Sequence, residues 1–351
     1  MSPPGSMQVA RTRTFDDTRV EREPVPALEP GDALVRVEAC GLCGSDATRW
    51  YVDTKVPCVL GHEPAGVVVA TGVDCAVREG ARVFVHHHVS CGACAACRRG
   101  AETSCARFKT SRIFPGGFAE WIRVPRENVE LDTLELPSAV DFEAATFVEP
   151  LACVIRAVDK LQVEPGRSVL VIGLGAMGLL SGLLARLRGA GLVVGTDLVA
   201  ARRSRAAAWR FDHALDPSAP SFAEELEGIV GRDGFDHVLV GPSAPAALQQ
   251  GIERAAPGAS VVLFSPFAPA PPVPVPLHRL YFRELRLTAS YSCSARETRA
   301  ALELIASGAV PVRALVSHRI GLDGVGDAIE RTARGGPDWI KAVVYPFGPP
   351  G

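Results

Sequence analysis

No apolar run in this chain of 351 residues reaches the roughly 18–20 residues that a helix needs to cross a bilayer, so the sequence offers no membrane-spanning helix. The first residues, Met1 to Arg13, are polar and proline-containing and lack the apolar region of a secretory signal, which makes a cytoplasmic location the expectation. Excess positive charge is missing too. The 37 Lys and Arg residues face 39 Asp and Glu, a formal net charge of −2, which gives no electrostatic reason to bind nucleic acid or an anionic membrane surface. There is no internal repeat and no disorder-prone composition, because 47% of residues are hydrophobic and only 22% charged. What remains is a packed protein that works on a small molecule, long enough for about two domains.

The ten cysteines read accordingly. Cytosolic thiols stay reduced, so clustered ones are more often metal ligands than disulfides. Cys91-Gly-Ala-Cys94-Ala-Ala-Cys97, with Cys105 after seven further residues, offers four thiolates at spacings that close around one tetrahedral zinc. A closed four-cysteine site has no open position for substrate, so its expected role is to hold a loop. His86-His87-His88 precedes this lobe. With the lobe already full, these histidines read as packed or solvent-facing rather than as further ligands.

Apolar and polar residues alternate from Asp32 to Glu38, and short β-rich runs recur at Val67 to Ala70, Ala81 to Val85 and Phe118 to Val124, which suggests an antiparallel or barrel-like first domain. After Pro165-Gly166 the pattern changes. A continuous apolar run, Ser168 to Ile172, leads into a glycine-rich turn and a helical stretch from Met177 to Arg188. Further strands are expected at Gly191 to Thr196, Phe235 to Gly241, Ser260 to Ser265 and Glu284 to Ser290, with helices at Ala200 to Arg210 and Pro245 to Ala256 between them. That alternation predicts an α/β domain with a doubly wound parallel sheet. Pro266 to Pro276 reads as a loop, Ala295 to Ser307 as an amphipathic helix and Ala342 to Tyr345 as a short strand.

Gly173-Leu174-Gly175-Ala176-Met177-Gly178 fits Gly-x-Gly-x-x-Gly between a buried strand and a helix, where a dinucleotide pyrophosphate can approach backbone N–H groups closely. Asp197 follows about 20 positions on, at the end of the next strand. A carboxylate there accepts hydrogen bonds from the ribose hydroxyls and repels a 2′-phosphate, so NAD is expected rather than NADP. Arg202, Arg203 and Arg205 are the opposing consideration, since they can instead meet a 2′-phosphate.

Candidates for an open metal site are scattered: Cys43 in Cys40-Gly-Leu-Cys-Gly-Ser-Asp46, His62 and Glu63 in Gly61-His-Glu-Pro-Ala-Gly66, and Glu149 in Phe147-Val-Glu-Pro150. These segments, with the cysteine lobe, Gly116-Gly-Phe-Ala-Glu120 and the nucleotide fingerprint, occur in the order found in zinc-dependent medium-chain dehydrogenases/reductases. The chain resembles that family over nearly its whole length. Glutamate at position 149 is similar to the sorbitol and threonine dehydrogenase branch.

The resemblance implies a GroES-like β-barrel catalytic domain over residues 1–151, with the structural zinc lobe near 91–105, a Rossmann coenzyme domain over 152–290, and a segment 291–351 that completes the catalytic domain. It implies two zinc ions per chain. One is catalytic, with Cys43 and His62 as ligands and Glu63 and Glu149 as ligands that exchange with water or substrate, and the other is in the cysteine lobe. Asp46 would orient His62. Ser45 would take the alcohol proton and pass it on through the cofactor ribose. Thr48 stands where the family often has a relay histidine, so the proton exit is expected through water. Arg49, Trp50 and Tyr291 are candidates for contacting substrate. The interval between Cys43 and His62 is short for the family, which trims a loop beside them.

The implied activity is NAD-linked oxidation of a secondary alcohol, such as a polyol, cyclitol, sugar or amino alcohol. L-threonine 3-dehydrogenase-type activity or ketone reduction is the enzymatic alternative, and a nucleotide-binding sensor the non-enzymatic one. A homodimer or homotetramer is expected.

Overall fold

The computed structural model describes residues 4–350. The chain up to Ala152, together with the chain from Cys293 onward, forms one compact unit, and Cys153–Ser292 forms a second.

The second unit is built on six parallel strands: β1 (Ser168–Ile172), β2 (Leu192–Thr196), β3 (His213–Leu215), β4 (Phe235–Val240), β5 (Ala255–Leu263) and β6 (Arg286–Ala289). Their order across the sheet is β3-β2-β1-β4-β5-β6. This is the doubly wound order, whose direction reverses beside β1 and opens a crevice at the carboxyl ends of the strands there. β1 sits in the middle because its sequence Val-Leu-Val-Ile is buried on both faces, as a covered parallel strand must be. Helix Ala176–Leu187 packs on β1 and β2, and helix Pro245–Arg254 on β4 and β5.

The first unit is mostly antiparallel. Strand Ala33–Gly41 is its axis, pairing with Glu63–Thr71, Trp121–Val124 and Ala342–Val344, and Arg82–Val85 extends the sheet beyond Glu63–Thr71. The inward residues Val35, Val37, Val68, Val83, Phe118 and Ile122 share one core. The return segment thus places its own strand against the axis of the first unit, so the unit needs both parts of the chain.

Several expectations are revised. Ala200 to Arg210 is not one helix but a short helix Ala200–Arg203 and a 3-10 turn Ala206–Trp209. Strand β5 begins at Ala255, where the sequence reading still had helix. The hairpin Ser6–Thr14/Asp17–Pro24 and helix Val148–Leu161 have no counterpart in the sequence reading.

Candidate functional site

Cys43 follows the end of strand Ala33–Gly41 and opens the 3-10 turn Gly44–Ala47. The turn folds Asp46 back, so that its Oδ2 accepts from the Cys43 N–H at 3.1 Å while Oδ1 lies 3.4 Å from His62 Nδ1. Burial alone would push the His62 imidazole pKa down, but Asp46 and Cys43 outweigh it and raise it well above the ordinary value. Asp46 therefore fixes the ring, which leaves the other nitrogen toward the thiol side. Ligand atoms of Cys43, His62 and Glu63 all lie within 4.8 Å of one another.

Glu63 is fully buried at the start of strand Glu63–Thr71. Its Oε2 accepts from Lys341 Nζ at 2.5 Å, whereas its Oε1 is buried with no hydrogen-bond partner. Burial would strip the Lys341 proton, but Glu63 holds its pKa above the ordinary value. Gly41 makes this pair possible, because a Cβ at Gly41 would stand 1.9 Å from Glu63 Oε2. A thiolate, an imidazole and an orphaned carboxylate oxygen are a donor set that fits zinc, and three protein ligands leave the open fourth position that a catalytic zinc requires.

Glu149, expected as a ligand that exchanges with water or substrate, stands close enough for its charge to act on Glu63 and Lys341. It lies on helix Val148–Leu161, and one of its oxygens is also within 4.8 Å of ligand atoms of His86 and Cys293. Arg49 is engaged elsewhere, with Nη1 and Nη2 on the Asp16 carboxylate at 2.7 and 2.5 Å and its guanidinium over the Phe15 ring. That ion pair takes it away from reading a substrate anion. Ser45 is half-buried in the turn beside Cys43. Thr48 Oγ1 donates to the Gly44 carbonyl at 2.9 Å and so closes the turn. Trp50 is half-buried against Tyr51, ring centroids 5.7 Å apart. Tyr291 is about half exposed at the end of the second unit.

The four cysteines of the lobe converge. Cys91 and Cys97 sulfurs are 3.9 Å apart, Cys94 and Cys97 3.5 Å, and Cys105 and Cys91 3.6 Å. Bonds of about 2.3 Å at a tetrahedral angle put zinc-bound sulfurs about 3.8 Å apart, so the set fits one ion. Backbone N–H groups of Cys94 and Cys91 point at the sulfurs of Cys91 and Cys105. Against the push of burial, backbone donors lower the Cys105 thiol pKa, while burial and the neighbouring thiols raise that of Cys97.

In the second unit, Gly173, Gly175, Met177 and Gly178 form the turn from β1 into helix Ala176–Leu187. Gly178 permits a close approach here, since a Cβ on it would lie 1.8 Å from the Gly173 carbonyl oxygen. Asp197, at the end of β2, is turned onto this loop, with Oδ2 accepting from Leu174 N–H and Oδ1 from Val199 N–H, each at 2.8 Å. Arg202 Nη1 is 3.7 Å from Asp197 Oδ2, while Arg203 bonds the Asp197 carbonyl and pairs with Asp216.

The sequence reading missed Lys341, Asp132 and Cys293. None lies in a motif. The one available signal was charge or sulfur inside an otherwise apolar stretch, as in Lys341 before Ala-Val-Val.

With this geometry in place, comparison with known proteins is specific. The alcohol dehydrogenase GroES-like domain model matches residues 29–133, and the zinc-binding dehydrogenase model matches residues 176–307. Sorbitol dehydrogenase of Bacillus subtilis (strain 168) is 28% identical over 98% of this chain and 98% of its own. L-threonine 3-dehydrogenase of Sinorhizobium fredii (strain NBRC 101917 / NGR234) is 30% identical over 92% of this chain and 95% of its own. A structure described as a zinc-binding dehydrogenase from Sinorhizobium meliloti 1021 bound to NADP superposes with a TM-score of 0.86 at 31% identity, covering 98% of this chain and all of the other.

Proposed function

Since the chain belongs to the zinc-dependent medium-chain dehydrogenase/reductase family, whose members are oxidoreductases acting on CH–OH groups, we propose that it moves a hydride between a secondary alcohol of polyol, cyclitol, sugar or amino-alcohol type and NAD. The observation that carries this reading is the group of Cys43, His62 and Glu63, with Glu63 Oε1 left without a partner. Residues 1–151 and 291–351 are the catalytic domain in this reading, and residues 152–290 the coenzyme domain.

Zinc, when bound, supplies a Lewis acid that lowers the pKa of the substrate hydroxyl, and the nicotinamide supplies the hydride acceptor. The chain's own residues do the rest. Cys43, His62 and Glu63 would hold the metal, with Glu149 nearby to exchange with water or substrate. Asp46 keeps His62 in one orientation through the contact to Nδ1. Lys341 holds Glu63 by one oxygen, so that the other stays available. Ser45 takes the hydroxyl proton, and because the Thr48 hydroxyl is committed to Gly44, that proton leaves through water. The turn Gly173–Gly178 presents backbone N–H groups to the pyrophosphate, and Asp197 reads the ribose. The cysteine lobe carries the structural zinc.

The test is zinc content with initial rates of NADH formation over polyols, cyclitols, threonine and simple secondary alcohols. Cys43→Ala is expected to lose one zinc and to fall by about 10³-fold in kcat/KM with NADH still bound, since a Lewis-acid metal contributes several kcal/mol. Unchanged zinc and unchanged rate in that variant would refute the site. NADP is a second reading, favoured by Arg202 beside Asp197 and by the NADP bound to the similar structure. The ratio of kcat/KM for NAD and NADP decides between them.

Among the described residues no helix is long and apolar enough to cross a membrane, and a cytoplasmic location is part of the same reading. So is a homodimer or homotetramer. It is supported by the exposed apolar side chains Leu277, Tyr281 and Phe282 shortly before edge strand β6.

A further inference from the structure

Four buried side chains run as one connected chain to Glu149. Thr298 Oγ1 donates to Asp132 Oδ1 at 2.7 Å, Asp132 Oδ2 lies 2.6 Å from His86 Nδ1, His86 Nε2 lies 3.6 Å from Cys293 Sγ, and Cys293 Sγ lies 3.9 Å from the Glu149 carbonyl oxygen. None of the four is more than 1% exposed.

Each link has a local cause. His86 follows strand Arg82–Val85, and helix Arg126–Asp132 grips its backbone on both sides, with the His86 N–H donating to the Asp132 carbonyl at 3.2 Å and Asn128 Nδ2 donating to the His86 carbonyl at 2.9 Å. Cys293 comes just before Ser294, whose N–H and hydroxyl both donate to Glu297 Oε2 and so open helix Ala295–Ala306. Thr298 is the fourth residue of that helix, so one helix start fixes both Thr298 and Cys293. A buried polar network whose members are all held in this way is rigid.

The network ends on a residue with a place in the proposed reaction. Glu149 is the second residue of helix Val148–Leu161, its charge acts on Glu63 and Lys341, and one of its oxygens lies within 4.8 Å of ligand atoms of His86 and Cys293. The partners behind a metal ligand set its orientation, and their loss commonly changes metal affinity or activity by about 10–100-fold. We propose that Asp132, His86 and Cys293 are positioning residues that set how far Glu149 reaches toward the metal that Cys43, His62 and Glu63 would hold. This rests on the reading of that group as the catalytic zinc site. Asp132 stops the His86 ring from turning, the ring backs the Cys293 sulfur, and the sulfur backs the helix turn that carries Glu149. Without the sulfur that turn gains room, and the carboxylate loses its set distance from the metal group.

The test uses protein whose catalytic ion alone is replaced by cobalt(II), because the visible bands of that ion report the number and geometry of its ligands. Cys43→Ala is expected to lose these bands. Cys293→Ala is expected to keep the ion, to shift the bands and to lower kcat/KM by about 10–100-fold, and Cys293→Ser, which keeps a polar atom there, to recover most of both. In a Glu149→Gln background Cys293→Ala is expected to add nothing to what Glu149→Gln causes alone, since the effect passes through Glu149. Wild-type far-ultraviolet circular dichroism guards against misfolding, and Asp132→Asn is read in the same way should Cys293→Ala fail to fold. Bands that Cys43→Ala loses but Cys293→Ala leaves as in wild type overturn this proposal alone, as does a Cys293→Ala effect of the same size with and without Glu149. Bands that persist in Cys43→Ala refute the catalytic site, and this proposal with it.

Discussion

Glu63 has no exposed surface, and burial pushes its carboxyl pKa up while Lys341 and His62 pull it back. Lys341, itself 5% exposed, has no other acid within salt-bridge distance among the described residues. Removing one member of a buried pair leaves the other desolvated and uncompensated, which costs about 3–5 kcal/mol. Lys341→Met is therefore expected to lower the unfolding free energy of metal-free protein by that amount in urea. An unchanged urea midpoint would mean that Glu63 is protonated and needs no partner. Cys43, His62 and Glu63 were each unremarkable alone and became a ligand group only through the order of motifs that resembles the family; the structure brings their ligand atoms together. Lys341 was not legible, because it is 278 residues from Glu63 and only the pairing of two strands with Ala33–Gly41 brings them together. The neighbourhood of Glu149 with Cys293 was not legible for a similar reason, since Cys293 lies 144 residues on.

Elements were legible where a strand is buried on both faces or alternates cleanly. β1 is a nearly continuous apolar run and β4 ends in one, Val238–Val240, so both stood out. The hairpin Ser6–Thr14/Asp17–Pro24 did not, because its second strand has no buried residue and is held by cross-strand charges such as Arg11 with Glu23 and Arg13 with Glu21. Charge also joins elements elsewhere. Glu143, on helix Phe142–Ala145, accepts from Arg319 Nε at 2.5 Å and Nη2 at 2.8 Å, and from the Tyr345 hydroxyl. Burial would raise the Glu143 pKa, but Arg319 and Tyr345 outweigh it and hold it below the ordinary value. A carboxyl with a depressed folded-state pKa stabilises the fold above its unfolded pKa of about 4.3, and that contribution disappears as pH falls through the lower folded value. Wild type is thus expected to exceed Glu143→Gln by about 1–3 kcal/mol at pH 7, with the gap closing below about pH 4. Parallel urea titrations from pH 3 to 7 check this, and a gap independent of pH would assign it to packing and not to charge.

At the scale of the molecule, alternating strands and helices revealed the parallel sheet of the second unit, and the change of pattern after Pro165-Gly166 marked its approach. What sequence reading cannot supply is which surfaces remain uncovered once each unit has packed. Leu277, Tyr281 and Phe282 are 72%, 77% and 70% exposed on helix Leu277–Phe282, which leads into edge strand β6. Among the described residues β6 has a strand partner on one side only, β5, so its other edge offers backbone groups to a further strand. An apolar cluster beside an open sheet edge is an aggregation hazard unless another chain covers it. A second copy meeting the first across a two-fold axis would pair β6 with β6 and bury both clusters at once, which is the self-complementary contact that closed dimers use. Tyr281→Glu/Phe282→Ser places a charge and a polar group in that contact without touching the nucleotide turn or the zinc ligands. The double variant is expected to shift the mass seen by light scattering from dimer or tetramer toward monomer at micromolar concentration, with zinc content unchanged. An unaltered mass would place the oligomer contact on another face, and a monomeric wild type would remove the oligomer from the proposed function.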